Sequence, residues 1–163
     1  MNNRNSRIVV KAAELTRLND TTTYASGDSF NETTPRIIEF TNVVTRESDD
    51  GWITKLVAKK NNPLVSSASF ELHLYDTAIT PIADNAPLTR LYANKEFYLG
   101  SIEFSFLASP TGSNCAVKTV MNIDMPFTTK NTRSIYGVLE VKGAYLPIAN
   151  EKIYLALTIE QYI

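Results

Sequence analysis

The sequence holds one histidine, His73, and one cysteine, Cys115. Together they could in principle form a nucleophile and its base, the thiolate activated by the imidazole. His73 lies in Ser69-Phe-Glu-Leu-His-Leu-Tyr75, on the polar side of an alternating run, beside Glu71 and Tyr75. Cys115 lies in Pro110-Thr-Gly-Ser-Asn-Cys-Ala116, a turn-like loop with no local signature of a catalytic thiol. A zinc centre would need two or three more ligands beside these. The reading is therefore a strand histidine exposed to solvent and an inert thiol, with no catalytic, cofactor-binding or metal residue.

Carboxylates are the next candidates. Glu47, Asp49 and Asp50 precede Gly51 in Arg46-Glu-Ser-Asp-Asp-Gly51. Acidic residues followed by a glycine suggest a calcium loop, but the length and closing Glu of an EF-hand are missing. Asp50-Gly51 reads instead as the tip of a hairpin joining Val43-Val44 to Trp52-Ile53. Asp76 and Asp84 flank the loop 77–83 and suggest no cation site. Tyr24-Ala-Ser-Gly-Asp28 lacks the first glycine and the strand-to-helix setting of a nucleophile elbow. It is a turn that lets Tyr24 pack and launches the next strand. The six glycines are scattered, so there is no phosphate loop. Arg4, Arg7, Lys11 and Arg17 make the amino end mildly basic against Glu14, which suits a partner-binding arm better than a nucleic-acid one.

The elements that position these residues are strands. Thr, Tyr, Phe, Val and Ile recur, punctuated by Asn, Asp and Pro. Strands are predicted over Arg36–Val44, Trp52–Lys59, Ser69–Tyr75, Phe97–Phe106, Ile135–Lys142 and Lys152–Ile159, with weaker ones over Arg7–Ala13 and around Val117–Ile123. Phe70, Leu72 and Leu74 form one face of the clearest strand. In Trp52–Lys59 one face carries Lys55 and Lys59 and the other is mostly apolar. Trp52, the only tryptophan, is expected to be buried at its strand start. Gly143–Asn150 should close a hairpin between the last two strands. One short helix is predicted over Asp84–Asn94, with cap-type residues before Pro87 and with Leu88, Leu91 and Tyr92 at helical spacing. This pattern of about eight strands is that of an all-β, two-sheet antiparallel β-sandwich, jelly-roll-like, with one short helix.

Composition narrows the class. The chain has 163 residues, 16 Lys+Arg against 17 Asp+Glu, and 44% hydrophobic residues. That is one domain, 1–163, with residues 1–7 a polar N-terminal arm, and it can bury roughly 70% of its unfolded surface without a staple. A near-zero charge excludes the basic excess of a nucleic-acid binder, and the apolar content excludes disorder. A single cysteine forms no internal disulfide. No apolar run reaches the about 18 residues of a membrane helix, and the opening residues have no apolar signal core. A soluble protein made in the cytoplasm, with no cofactor and no membrane partner, is expected.

Several of these motifs, in this order, resemble a family of small virion-associated proteins of tailed bacteriophages. Tyr24-Ala-Ser-Gly-Asp28 is similar to that family's Y-x-x-G-D opening, and Ser69–Asp76 to its L-x-L-x-L-F-D strand. Ala83-Asp-Asn-Ala-Pro-Leu88, followed by Gly100, resembles its T-D-N-A-A-F…G segment. Ile135–Val141 and Ile153–Ile159 resemble its paired closing strands. The likeness spans residues 7–163 and departs at the acidic stretch Glu47–Gly51, where the family is glycine-rich. It implies a β-sandwich structural protein of the virion, without catalytic residues. Its partners would be the major capsid protein or other virion proteins, and it would act as a homo-oligomer, a trimer favoured. Decoration of the capsid is the leading expectation. A head-to-tail, collar or fibre-anchoring subunit is the alternative, and a carbohydrate-binding module, using Trp52 and tyrosines as stacking platforms, lies further off.

Overall fold

The computed structural model describes residues 6–63, 68–89, 92–110 and 112–162, with strand in nine segments. These are β1 (Ser6–Thr16), β2 (Ser29–Phe30), β3 (Ile38–Phe40), β4 (Asp50–Lys60), β5 (Ser69–Tyr75), β6 (Tyr98–Ser105), β7 (Ala116–Thr128), β8 (Ile135–Val141) and β9 (Lys152–Tyr162). They make two antiparallel sheets in the orders β1-β9-β4-β7 and β2-β8-β5-β6, with β3 also pairing β8. The short β2 and β3 share one edge of β8: β2 faces Glu140 and Leu139, and β3 faces residues 135–137. Pairing first with last, second with second-last, and so inward is a long ribbon rolled up on itself. That is the jelly roll.

The alternation of β5 dictates the core. Phe70, Leu72 and Leu74 are fully buried, facing Ile53, Leu56 and Ala58 of β4 and Ile153, Leu155, Leu157 and Ile159 of β9 within one cluster. Phe70 is its aromatic centre, with Phe104, Phe106, Phe30 and Tyr145 between 5.6 and 5.9 Å away, centroid to centroid. The turn at Ser26-Gly27, with Gly27 at φ 93°, seats Tyr24 fully buried against Tyr145 and opens into β2.

Three expectations from local sequence fail, and the topology explains two of them. Asp50-Gly51 is the start of β4, not a hairpin tip, because β3 and β4 belong to different sheets. Gly143–Asn150 likewise joins β8 to β9 across the sandwich, so these closing strands are not paired with each other. In a rolled ribbon neighbours in sequence part company, and the partners are distant. Third, the helix is displaced. Asp84-Asn85 form a turn with Asn85 at φ 57°, and Pro87 bridges to Asp28. Apart from one local turn bond, from Ala86 N to the Ala83 carbonyl, the backbone at 85–88 bonds to residues 27 and 29. Leu91 lies outside the described residues, and a 3₁₀ helix occupies Tyr92–Phe97 instead.

Strand limits also shift. Of Arg36–Val44 only Ile38–Phe40 is strand; Asn42 at φ 53° turns the chain, and Val43 and Val44 enter the core from the loop. The arm shrinks too: Ser6 and Arg7 already belong to β1, while residues 1–5 lie outside the described residues. In β4 the register slips between Ile53 and Lys55, opposite Asn122 and Asp124 of β7, both at positive φ. The bulge puts Ile53 on the same side as Leu56, Ala58 and Lys60, so the even alternation expected there breaks.

Gly51 is required by packing. A Cβ there would stand 2.6 Å from the Phe127 ring. Gly51→Ala is expected to cost about 1–3 kcal/mol, read as a lower midpoint in chemical denaturation. An unchanged midpoint would mean that Phe127 swings aside freely.

Candidate functional site: an exposed outer face and three polar clusters

Antiparallel register places side chains of the first sheet in rows across its outward face. Ile8, Glu160, Trp52 and Pro126 form one row, and Val10, Thr158, Lys55 and Met121 the next. Ala12, Ala156, Val57 and Thr119 follow, then Glu14, Tyr154, Lys59 and Val117. Four large apolar side chains here face solvent: Ile8 (65% exposed), Val10 (62%), Met121 (59%) and Val117 (51%). Glu160 and Lys55 lie on the central strands between them, and further along the face Lys152 pairs with Glu14 at 3.1 Å and Lys59 lies over the Tyr154 ring. β1 is an edge strand, and its carboxyl end is capped: Glu32 accepts from Thr16 N, and Arg36 donates to the Glu14 carbonyl. Exposed apolar side chains along both border strands, interleaved with charges, are the mixed make-up of a protein contact surface. Sequence reading missed this face because it assigns an apolar strand residue to the core by default; the register alone shows that Ile8 and Val10 point away from it.

The outward face of the other sheet is different. His73, Tyr75, Val138 and Glu140 point away from the core yet are buried. The β5–β6 connection accounts for it: its residues 85–88 bond to β2 and its flanking turn at one edge, and the Phe97 carbonyl accepts from Asp76 N at the other. His73 is thus no exposed strand histidine but fully buried, a correction to the sequence reading. Its Nε2 is 2.7 Å from Glu140 Oε2 and its Nδ1 3.2 Å from the Tyr98 hydroxyl. Glu71 Oε2 lies 3.8 Å from Nε2, and Lys142 Nζ reaches Glu71 at 2.8 Å and Glu140 at 3.5 Å.

Glu71, His73 and Glu140 bring one potential ligand atom each within 4.8 Å of the others, the geometry of a metal cluster. The Lys142 ammonium already bridges both carboxylates, and both imidazole nitrogens have partners. The arrangement therefore works as a satisfied ion network. Burial raises the Glu71 carboxyl, but hydrogen bonds from Lys142 and Ser101 and the neighbouring His73 outweigh it and hold it below the usual range. A lowered carboxyl contributes stability above the ordinary glutamate range that is lost as pH falls through the lowered value. Lys142→Met removes the foremost lowering contact, so the acid-unfolding midpoint should move to higher pH. A pH titration of circular dichroism checks this, and an unmoved midpoint would discount the pair.

A second cluster lies inside the sandwich. Lys60 and Glu151 side chains are both fully buried, 3.3 Å apart, with the Tyr145 hydroxyl and the Asn62 amide also donating to Glu151. Arg17, Tyr24 and Asp84 form a third polar knot: Tyr24 donates to Asp84 at 2.5 Å, and Arg17 pairs with Asp84 and Asp20. It ties the end of β1 to the β5–β6 connection.

The structure does not join His73 to Cys115. Cys115 precedes β7, its carbonyl accepting from Ser109, beside Lys59 and Lys60 on the other sheet. Asp49 accepts from Gln161 at 2.6 Å, and Asp50 from Thr128 at 2.6 Å, so the acidic stretch knits strand ends together. Trp52 is half-buried, not buried, on the outward face.

No protein-family model matches the sequence, and no curated protein matches it. Among solved structures it is similar to a chain of Desmodium yellow mottle tymovirus, at 8% identity over 97% of this chain and 82% of that one, with a TM-score of 0.30. A chain of the native virion of Kashmir bee virus at acidic pH matches at 15% identity over 96% and 73%, with a TM-score of 0.32. A chain of the heated full particle of Israeli acute paralysis virus matches at 11% identity over 97% and 74%, with a TM-score of 0.34. Superposition this loose leaves the jelly-roll assignment resting on strand order alone.

Proposed function

We propose that the chain is a structural protein of a virion, working by burial of surface rather than by catalysis, and that it decorates the capsid of a tailed phage. The observation that carries this is the outward face of β1-β9-β4-β7, where Ile8, Val10, Val117 and Met121 stand exposed on the two border strands. Burying the exposed remainder of each such side chain contributes roughly 1–2 kcal/mol, so several together can hold a lattice contact. Repetition over many sites then lets modest affinity per copy hold the layer. The motif resemblance supplies the virion. The polar clusters support a non-catalytic role, since the His73 nitrogens and the Glu151 oxygens are all occupied by partners within the fold.

Quantitative mass spectrometry of purified particles tests the reading, scoring copies of this chain against the major capsid protein. A stoichiometry near that of the capsid lattice is expected. A few copies per particle would move the chain to the neck or tail, and absence would sink the virion role.

A further inference from the structure

Each sheet has two edges among the described strands, and all but one are closed to further pairing. β2 and β3, which share an edge, are two and three residues long. At β6 the register slips between Leu74 and Tyr75, where Gly100 stands at φ 143°. β7 carries Asn122 and Asp124 at positive φ, opposite the β4 bulge, and then Pro126, which has no N–H to offer. Short strands, bulges and prolines are the devices by which sheets keep their edges from pairing. β1 has none of them. It runs for 11 residues in unbroken register with β9, without glycine or proline.

The caps at its carboxyl end show which backbone groups face outward. Glu32 takes Thr16 N and Arg36 takes the Glu14 carbonyl, while Arg17 N turns the other way, to the Glu151 carbonyl beside β9. In an antiparallel strand the N–H and C=O of one residue point to the same side, and that side alternates along the chain. The register does not slip, so the N–H and C=O of Ile8, Val10 and Ala12 point to the free edge, with no backbone partner among the described residues. This stretch is self-complementary in one antiparallel register. With Val10 opposite Val10 of a second copy, Ile8 meets Ala12, while Arg7 and Lys11, on the inner side with Val9 and Ala13, meet Ala13 and Val9. Centring on Val9 instead sets Arg7 against Lys11 twice, like charges directly opposed. Centring on Ile8 leaves Ala12 beyond Ser6 of the second copy, and centring on Ala12 runs Val10 and Ile8 into the capped Glu14 and Thr16.

We propose that β1 pairs antiparallel with β1 of a second copy about a two-fold axis at Val10, joining two four-stranded sheets into one. Ile8, Val10 and Ala12 exchange backbone bonds with the residues opposite them, and the ladder ends where Arg36 occupies the Glu14 carbonyl. The contact is isologous and closes at two copies. It lays the exposed Ile8 and Val10 of both copies side by side on one outward face, and it stands whether or not the chain is a virion protein. The test is the full chain in solution, without particles, by analytical ultracentrifugation over a dilution series reaching millimolar concentration. A monomer–dimer equilibrium is expected. Ala12→Pro removes an outward N–H that β9 does not use and leaves both large apolar side chains in place. It should weaken the dimer about thirtyfold, two backbone bonds being lost by symmetry. Where the proline also lowers the unfolding temperature, Val10→Lys decides instead: it sets two ammonium groups against each other at the axis and should weaken the dimer as much. Met121→Lys, on the other border strand, should leave the dimer unchanged. A monomer at every concentration, a trimer, a dimer indifferent to the β1 substitutions, or a dimer broken by Met121→Lys would each overturn the proposal.

Discussion

Glu151→Ala should lower the unfolding temperature by about 6–20 °C, the largest loss expected of a single charged side chain here. Glu151 and Lys60 are both fully buried, 3.3 Å apart. The Lys60 ammonium has no aligned hydrogen bond; it is held by that carboxylate and by the faces of Tyr145 and Phe106, 5.1 and 6.0 Å away. Removing the carboxylate leaves an uncompensated charge inside the sandwich, typically about 3–5 kcal/mol. It also strips an acceptor from the Tyr145 hydroxyl, the Asn62 amide and Ile148 N. The pair itself need not be stabilising, because desolvation offsets its attraction. Lys60→Met with Glu151→Leu should therefore recover the part of the loss that comes from the stranded charge, while the donors that Glu151 served stay unpaired.

The pH dependence separates a stranded charge from a mere packing defect. Burial lowers the Lys60 ammonium below the usual lysine range, and Glu151 pulls it part of the way back. Without Glu151 it falls further. Between the folded and the unfolded value the unfolded chain binds more protons, so stability rises with pH across that window. The deficit of Glu151→Ala should thus shrink between pH 7 and pH 10 (both experimental settings, the upper one just under the ordinary lysine value). Differential scanning calorimetry at both settings decides it. A deficit equal at both would mean that Lys60 keeps its charge solvated by some rearrangement.

These polar clusters were the least legible part of the sequence, for a reason that the legible part makes plain. Phe70, Leu72 and Leu74 announce their face by alternation, and β5 spans the residues predicted for it. Alternation says which side chains share a face, but not whether that face is wet. His73, Glu71 and Tyr75 oppose the apolar set and so read as solvent-facing; the β5–β6 connection covers them, and its path is set by bonds of residues 85–88 to residues 27 and 29, which lie far away in the sequence. The reverse holds for Ile8 and Val10, whose apolar character suggests a core that the register denies them. Lys60 is a third case: it shares the phase of Leu56 and Ala58 and therefore points inward, where a distant Glu151 meets it. The sandwich itself could be anticipated because strand content and turn spacing are local quantities. Pairing could not, since each ribbon partner lies far along the chain.

Ile8→Lys together with Val10→Glu should abolish assembly while leaving the fold intact. Both side chains are mostly exposed, so their replacement removes little that the isolated protein buries, and surface changes of this kind usually stay within about 0.5 kcal/mol. In a docked state the balance inverts. Burial of the exposed remainder of two apolar side chains, roughly 1–2 kcal/mol each, is lost, and two charges must be desolvated against a partner not built to pair them. Even the lower bound, about 2 kcal/mol, corresponds to an about thirtyfold loss of affinity. The experiment adds purified variant and wild-type protein to particles lacking this chain and quantifies what sediments with them. Wild-type protein should co-sediment to saturation and the variant should stay in the supernatant, with equal unfolding temperatures for the two. A Glu39→Lys change, exposed on β3 of the opposite sheet, serves as the control and should bind normally. If the double variant sediments like wild type, the first sheet is not the docking face; if the control alone fails, the contact lies on the β3 side of the sandwich. Either result would relocate the interface without altering the jelly roll that presents it.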